Sequence, residues 1–223
     1  MSVQMHGSLQ PLLEGHRLTV RQALQWPEIL VGWETRKCYE VADPTGHPMV
    51  YAGESGEGLV SSLARNFWPF RKLRLELMTL DGLLTLALNR PWSFFFARFD
   101  VEAWDGRPLG RICQRLRIFG KALDLMTPAG NLLATARSSL FHPWTFHFQQ
   151  QGIELAIVRK RWSNFWQETM TDADNYEIEL LPALRDGKLR QMILAAALAI
   201  DLTWFEDRNT KKSGLLRGGL LRD

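Results

Sequence analysis

The sequence predicts a mainly β protein: a closed antiparallel barrel of roughly twelve strands around a buried hydrophobic C-terminal α-helix. Three observations carry that expectation. A strand-turn-strand phrase recurs along the chain, one apolar run near the C-terminus is too greasy for a surface helix, and the composition is 46% hydrophobic with nine Trp. Tryptophan favours strands and interfaces, where its ring packs against a pleated surface. A chain of 223 residues buries most of its surface on folding without external staples.

The recurring phrase is a strand-like run, an acid or proline beside a glycine, and a second strand-like run. It reads KCYEVADPTGHPMVYA, LRLELMTLDGLLTLAL, RFDVEAWDGRPLGRIC, ALDLMTPAGNLLATAR and FHFQQQGIELAIVRKRW. The turn glycines are Gly46, Gly82, Gly106, Gly130 and Gly152, and from Gly82 onward they recur at 24, 24 and 22 residues. That interval fits one hairpin plus its connection. Asp81-Gly82 and Asp105-Gly106 suit the positive φ angles of tight hairpin turns. Apolar and acidic residues alternate through Tyr39-Glu40-Val41, Phe99 to Glu102 and Tyr176 to Leu180, so these strands have one wet face.

Between the hairpins lie connections rich in Arg, Pro and rings: ARNFWPFRK, NRPWSFFFAR and SLFHPWTFHF. Two readings stand. The rings cover the ends of the core, or a contiguous exposed cluster, including Trp92, Phe94, Phe95 and Phe96, meets lipid or protein.

The last element is the run from Met192 to Phe205, 14 residues and roughly 21 Å as a helix, against a hydrocarbon core of about 30 Å. Arg190 and Glu206-Asp207-Arg208 block its extension, and Asp201 lies inside it. A central acid costs roughly 2.5–3.5 kcal/mol on insertion scales. A helix apolar all round needs an apolar surrounding, and the chain's own sheet supplies it. Twelve strands spaced about 4.8 Å apart and tilted about 40° close at roughly 24 Å across, wide enough for one helix and its side chains. Residues 188–205 are therefore the expected plug, and Asp201 needs a buried or rim partner.

The domain plan is a disordered N-terminus at 1–16, one barrel domain at 17–206 and a basic tail at 207–223. The tail holds five bases and two acids, a surplus of three that equals the whole net charge of +3. Lys211, Lys212, Arg217 and Arg222 make it either a solvated end or a segment drawn to an anionic membrane surface. Cys38 and Cys113 show no metal or disulfide spacing, and the N-terminus lacks the order of a signal peptide, so an intracellular protein is expected. Elsewhere bases alternate with acids, which argues against nucleic acid as a partner. Gly53 to Gly58 lacks the Lys-Ser/Thr of a phosphate loop. His142 and His147 are five residues apart, on opposite faces of a regular strand, and neither lies in a nucleophile pattern. No enzyme is expected.

Several stretches together resemble the phospholipid scramblase family, which shares a tubby-like barrel with the LURP-one-related proteins. They are WETRKCYEVADPTGHPMVYAGE (33–54), LNRPW (88–92), GRICQ (110–114), and RKRWSNFWQETMTDADNYEIELLP (159–182) followed by MILAAALAIDLTWFE. The resemblance covers about Gly32 to Glu206. It implies the tubby C-terminal-like barrel with its central helix, interaction with phospholipids, and calcium-linked movement of phospholipids between leaflets at the cytoplasmic face. The chain departs from eukaryotic members after the Arg-Pro step, where it reads PWSFFFARF in place of their acylated cysteine cluster. The family's proposed calcium segment maps onto Asp172, Asp174 and Asn175. Counted from Asp172, position 6 is Glu177 and position 12 Ala183, so the stretch is not an EF-hand loop. It remains either an acidic turn or a weak cation site.

Overall fold

The structure, a computed structural model, describes residues 15–23, 38–55, 72–93, 95–161 and 175–205. Twelve strands run β1 (Arg17–Ala23), β2 (Cys38–Ala42), β3 (Pro48–Glu54), β4 (Leu73–Thr79), β5 (Leu84–Arg90), β6 (Arg98–Ala103), β7 (Pro108–Arg115), β8 (Ala122–Met126), β9 (Leu132–Arg137), β10 (Thr145–Gln150), β11 (Ile153–Arg161) and β12 (Asn175–Leu180). A single helix, α1 (Gly187–Trp204), follows. Each strand pairs antiparallel with its sequence neighbours, and β1 closes the barrel between β12 and β2. Closure leaves no unpaired edge for another chain to extend.

Alternation decides what faces inward. Leu73, Leu75 and Leu77 of β4, Phe99 and Val101 of β6, Phe146 and Phe148 of β10, and Tyr176, Ile178 and Leu180 of β12 are all buried. The outer face carries cross-strand ion pairs. Arg74 of β4 donates to Glu102 of β6 at 3.2 Å and to Glu76 of its own strand at 2.6 Å. Arg159 donates to Glu179 at 2.8 Å across β11 and β12. A membrane-spanning barrel presents an apolar band outward; the described part of this wall carries ion pairs there.

The predicted turn glycines all take positive φ, from 77° at Gly82 to 91° at Gly130. The turn chemistry differs from expectation at the Asp-Gly sites. Among the described residues Gln151 is the one non-glycine at positive φ, so Asp81 and Asp105 keep ordinary backbone. Thr79 N–H donates to Leu83 and Gly82 N–H to the Thr79 carbonyl, and the register slips between Leu77 and Met78. This is a longer loop ending in a glycine bulge, repeated at Gly46, Gly106 and Gly130. The two-residue form is confined to Gln151-Gly152.

Helix α1 spans roughly 27 Å, and Met192 to Leu202 are buried without interruption. The lack of an amphipathic stripe is explained, because every face meets the barrel wall. Its bounds are one residue earlier than expected. Asp186 caps the first turn, accepting from Lys188 N–H at 2.8 Å, which satisfies an otherwise orphaned amide. Arg190 ties this end down by donating to the Leu184 carbonyl and to the Gly15 carbonyl that leads into β1. Close approach of wall and helix requires Gly110, where a β-carbon would lie 2.3 Å from the Met126 carbonyl oxygen and 2.9 Å from Met192 Cε.

Candidate functional site

In a sequential meander the connections alternate between the two ends of the barrel. The five hairpin turns and the start of α1 share one end. The connections β5–β6 (91–97), β7–β8 (116–121) and β9–β10 (138–144) share the other, where α1 finishes.

At that second end the strands converge on the helix. Asp201, buried in the last turn, accepts from the Tyr39 hydroxyl at 2.6 Å and from the Tyr176 hydroxyl at 2.5 Å. The partner required by the sequence is therefore a pair of phenols from β2 and β12, one on each carboxylate oxygen. Two charge-assisted bonds offset much of the cost of removing a carboxylate from water. Arg90, almost fully buried at the end of β5, donates to the Leu202 carbonyl at 3.0 Å. It thereby satisfies one of the carbonyls a helix end leaves open and sets positive charge against the negative pole of the dipole.

Aromatic rings close the core around this point. Trp144 lies 5.2 Å from Phe205, and Phe146 stacks on Trp204 at 5.4 Å. Lys121 Nζ sits 4.2 Å from the Phe205 ring centre and 4.9 Å from that of Trp144, while Lys160 Nζ sits 4.2 Å from the Phe205 centre. Ammonium groups against ring faces combine cation–π attraction with the helix C-terminal dipole. The rings of these connections divide by position. Trp144 packs inward against the core, whereas Trp92, Phe95, Phe96 and Phe141 are exposed.

The remaining predicted site residues divide by position. Lys211, Lys212, Arg217, Arg222, Phe94, Asp172 and Asp174 lie outside the described residues. Asn175 opens β12, and its Oδ1 is buried and has no hydrogen-bond partner among the described residues. No group of three metal-ligating side chains occurs among the described residues. His142 precedes β10 instead of lying within it, so the odd-spacing argument does not apply to it; His147 contacts Glu154 at 2.5 Å. Cys38 and Cys113 are free. Burial, reinforced by Glu40, pushes the Cys38 thiol up to about 12, and burial also raises that of Cys113, so neither is an activated nucleophile.

Sequence reasoning missed Tyr39, Tyr176 and Arg90 as a set, although each stands inside a stretch singled out above. The available signal was a hydroxyl or guanidinium on the apolar side of an alternating strand, which demands a polar acceptor in the core. Their contacts with α1 make these stretches the fastening of the plug. The arrangement is a latch, with carboxylate, phenols and guanidinium holding a helix end in place.

The molecule thus belongs to the class of closed antiparallel barrels plugged by their own C-terminal helix, with a ring- and cation-lined end where that helix is secured. The Scramblase family model matches residues 1–207, and the chain belongs to that family. It is 24% identical to a phospholipid scramblase family protein of Schizosaccharomyces pombe over 92% of this chain and 63% of the relative. It is 25% identical to phospholipid scramblase 1 of Mus musculus over 89% of this chain and 63% of the relative. Against phospholipid scramblase 1 of Homo sapiens the identity is 23%, over 93% of this chain and 69% of the relative. The chain thus spans less than two thirds of the length of the first two. No solved structure matches it significantly. Among the described residues no helix is long and apolar enough to cross a membrane.

Proposed function

We propose that this chain acts at a membrane surface as a phospholipid scramblase-like protein, interacting with phospholipids and moving them between leaflets. The observation that carries the reading is the Scramblase match along nearly the whole chain, with relatives that bear the name phospholipid scramblase. The barrel supplies a constraint on mechanism. Its interior is filled by α1 and the inward side chains, so headgroups have no route through it. Lipid movement then proceeds by perturbing the bilayer from outside or by withdrawing α1, and withdrawal must break the Asp201 and Arg90 contacts.

The basic tail, with Lys211, Lys212, Arg217 and Arg222, supplies long-range attraction to anionic headgroups. Calcium is a fitting cofactor for an oxygen donor set, held by Asp172, Asp174 and Asn175; the buried Oδ1 of Asn175, which has no hydrogen-bond partner among the described residues, supports that assignment. Two free cysteines suit a reducing compartment and the cytoplasmic face of the membrane.

The test is dithionite quenching of labelled lipid in vesicles containing the protein, with and without calcium. Quenching of inner-leaflet label faster than in protein-free vesicles is expected; a rate equal to protein-free vesicles refutes transport. The filled interior also favours a second reading, a soluble tubby-like binding or scaffold module without scrambling activity. That reading predicts no sedimentation with either anionic or neutral liposomes. The lipid-interacting one predicts salt-sensitive binding that falls when the four tail bases become Gln.

A further inference from the structure

Resting on the lipid-interacting reading above, we propose that the end of the barrel where α1 finishes is the membrane-inserting surface, with the β5–β6, β7–β8 and β9–β10 connections entering the interfacial layer of an anionic bilayer. These connections are neighbours on the circumference, because β5 to β10 follow one another in the barrel. Their tips are strongly apolar and project into solvent: Phe141 is 91% exposed, Ile118 86%, Phe95 82% and Leu116 77%. Phe119 and Leu140 extend the same fringe. Isolated exposed apolar residues are ordinary, but a run of them across adjacent loops marks a binding surface.

Charge selects the occupant. The three connections contain no Asp or Glu and carry Arg117 and Lys121. The opposite end bears Asp43, Asp81 and Asp105 in its turns and Asp186 at the helix start, interspersed with Arg107, Arg185 and Lys188, and among the described residues no large apolar side chain there exceeds 58% exposure. The side wall is laddered with ion pairs. Among the described residues, this end joins the most exposed apolar tips to connections that carry bases and no acid, the pairing that suits anionic headgroups above acyl chains.

The tips are also braced. Arg117 donates to the Ser138 carbonyl at 3.2 Å, Lys121 N–H donates to Ser138 Oγ at 3.1 Å, and Ser138 N–H returns a bond to the Lys121 carbonyl at 2.9 Å. Gly120, at φ 86°, lets the two connections touch, since a β-carbon there would lie 2.3 Å from the Ser138 carbonyl oxygen. Ala97 N–H donates to Gln114 Oε1 at 2.9 Å and Gln114 N–H to the Ala97 carbonyl at 2.8 Å, joining the third connection to β7. Such bracing holds the apolar tips out instead of letting them fold back on the core. Separate projecting tips fit a fluid interface, into which they would reach roughly 5–10 Å.

The test is co-sedimentation of the full chain with phosphatidylcholine vesicles with and without phosphatidylserine. The variants are Ile118→Asp with Phe141→Asp and, as a control at the opposite end, Leu83→Asp with Ile153→Asp. All four positions are exposed, and far-UV circular dichroism checks that both variants fold. Wild type and control should bind anionic vesicles, and the rim variant at least about tenfold less. An environment-sensitive dye on Ile118→Cys should shift to the blue with those vesicles. Equal binding by rim variant and wild type overturns the inference while leaving the lipid-interacting reading intact. Wild type that binds neither vesicle overturns both. A wild-type dimer that Ile118→Asp with Phe141→Asp turns into a monomer identifies the rim as a self-association face and also overturns it.

Discussion

Replacing Tyr176 with Phe removes one hydroxyl from a buried carboxylate and changes little else in shape. A hydrogen bond to a charged group contributes about 1.5–3 kcal/mol net, and Asp201 is nearly inaccessible to water, so the single variant should lose stability in that range. For a chain of this size that is a fall in Tm of about 3–12 °C. Tyr39→Phe should cost a similar amount, because its hydroxyl serves the other carboxylate oxygen at 2.6 Å. The double variant is the sharper case. It removes both phenol donors, and two hydrogen bonds to a charged group together contribute about 3–6 kcal/mol. Adding Asp201→Leu to the double variant removes the charge that needed compensation, so the triple variant should recover part of the loss even though it has fewer polar groups. Urea unfolding with a double-mutant cycle measures each term, provided the slope is unchanged. A double variant that unfolds within about 0.5 kcal/mol of wild type, or a triple variant less stable than the double, refutes the latch.

Further expectations concern the wall and its surface. Gly110→Ala should destabilise by about 1–3 kcal/mol, because its first obstacle is the Met126 backbone carbonyl, which cannot rotate away; a thermal melt reads this directly. The hydrogen bond from Arg159 holds the Glu179 carboxyl below its ordinary value, with Arg17 adding to the effect. That contribution is present above the unfolded value of about 4.3 and is lost as pH falls through the lower folded value; Arg159→Gln should flatten the acid limb of stability against pH. Alkylation by iodoacetamide at mild alkaline pH should label Cys113 before Cys38, whose thiol titrates at about 12, and Cys38 should react only on unfolding. Labelling of Cys38 in the native protein at the rate of a free thiol would contradict its burial.

The hairpins were legible because each is a local statement: alternation chooses the face, and glycine at a fixed offset chooses the turn. β1 was not, since Arg17–Ala23 carries no turn signal and gains its place only by pairing with β2 and β12. The rim shows the same division. Phe95 and Phe141 stand within ring-rich connections, whereas Leu116, Ile118 and Phe119 lie in a stretch with no ring or turn pattern to mark it.

The sequence by itself determined that α1 must be enclosed, because its length, its acid and its uniform apolarity leave neither a bilayer nor a surface as its environment. It could not say which groups receive Asp201, since Tyr39 lies 162 residues away along the chain and Tyr176 25. Hydrophobic pattern is additive along a chain and can be read by counting, but a buried charge is satisfied by atoms that only closure of the barrel brings within 3 Å. The tertiary structure therefore decided the latch, the bracing of the loop tips and which end of the barrel became apolar.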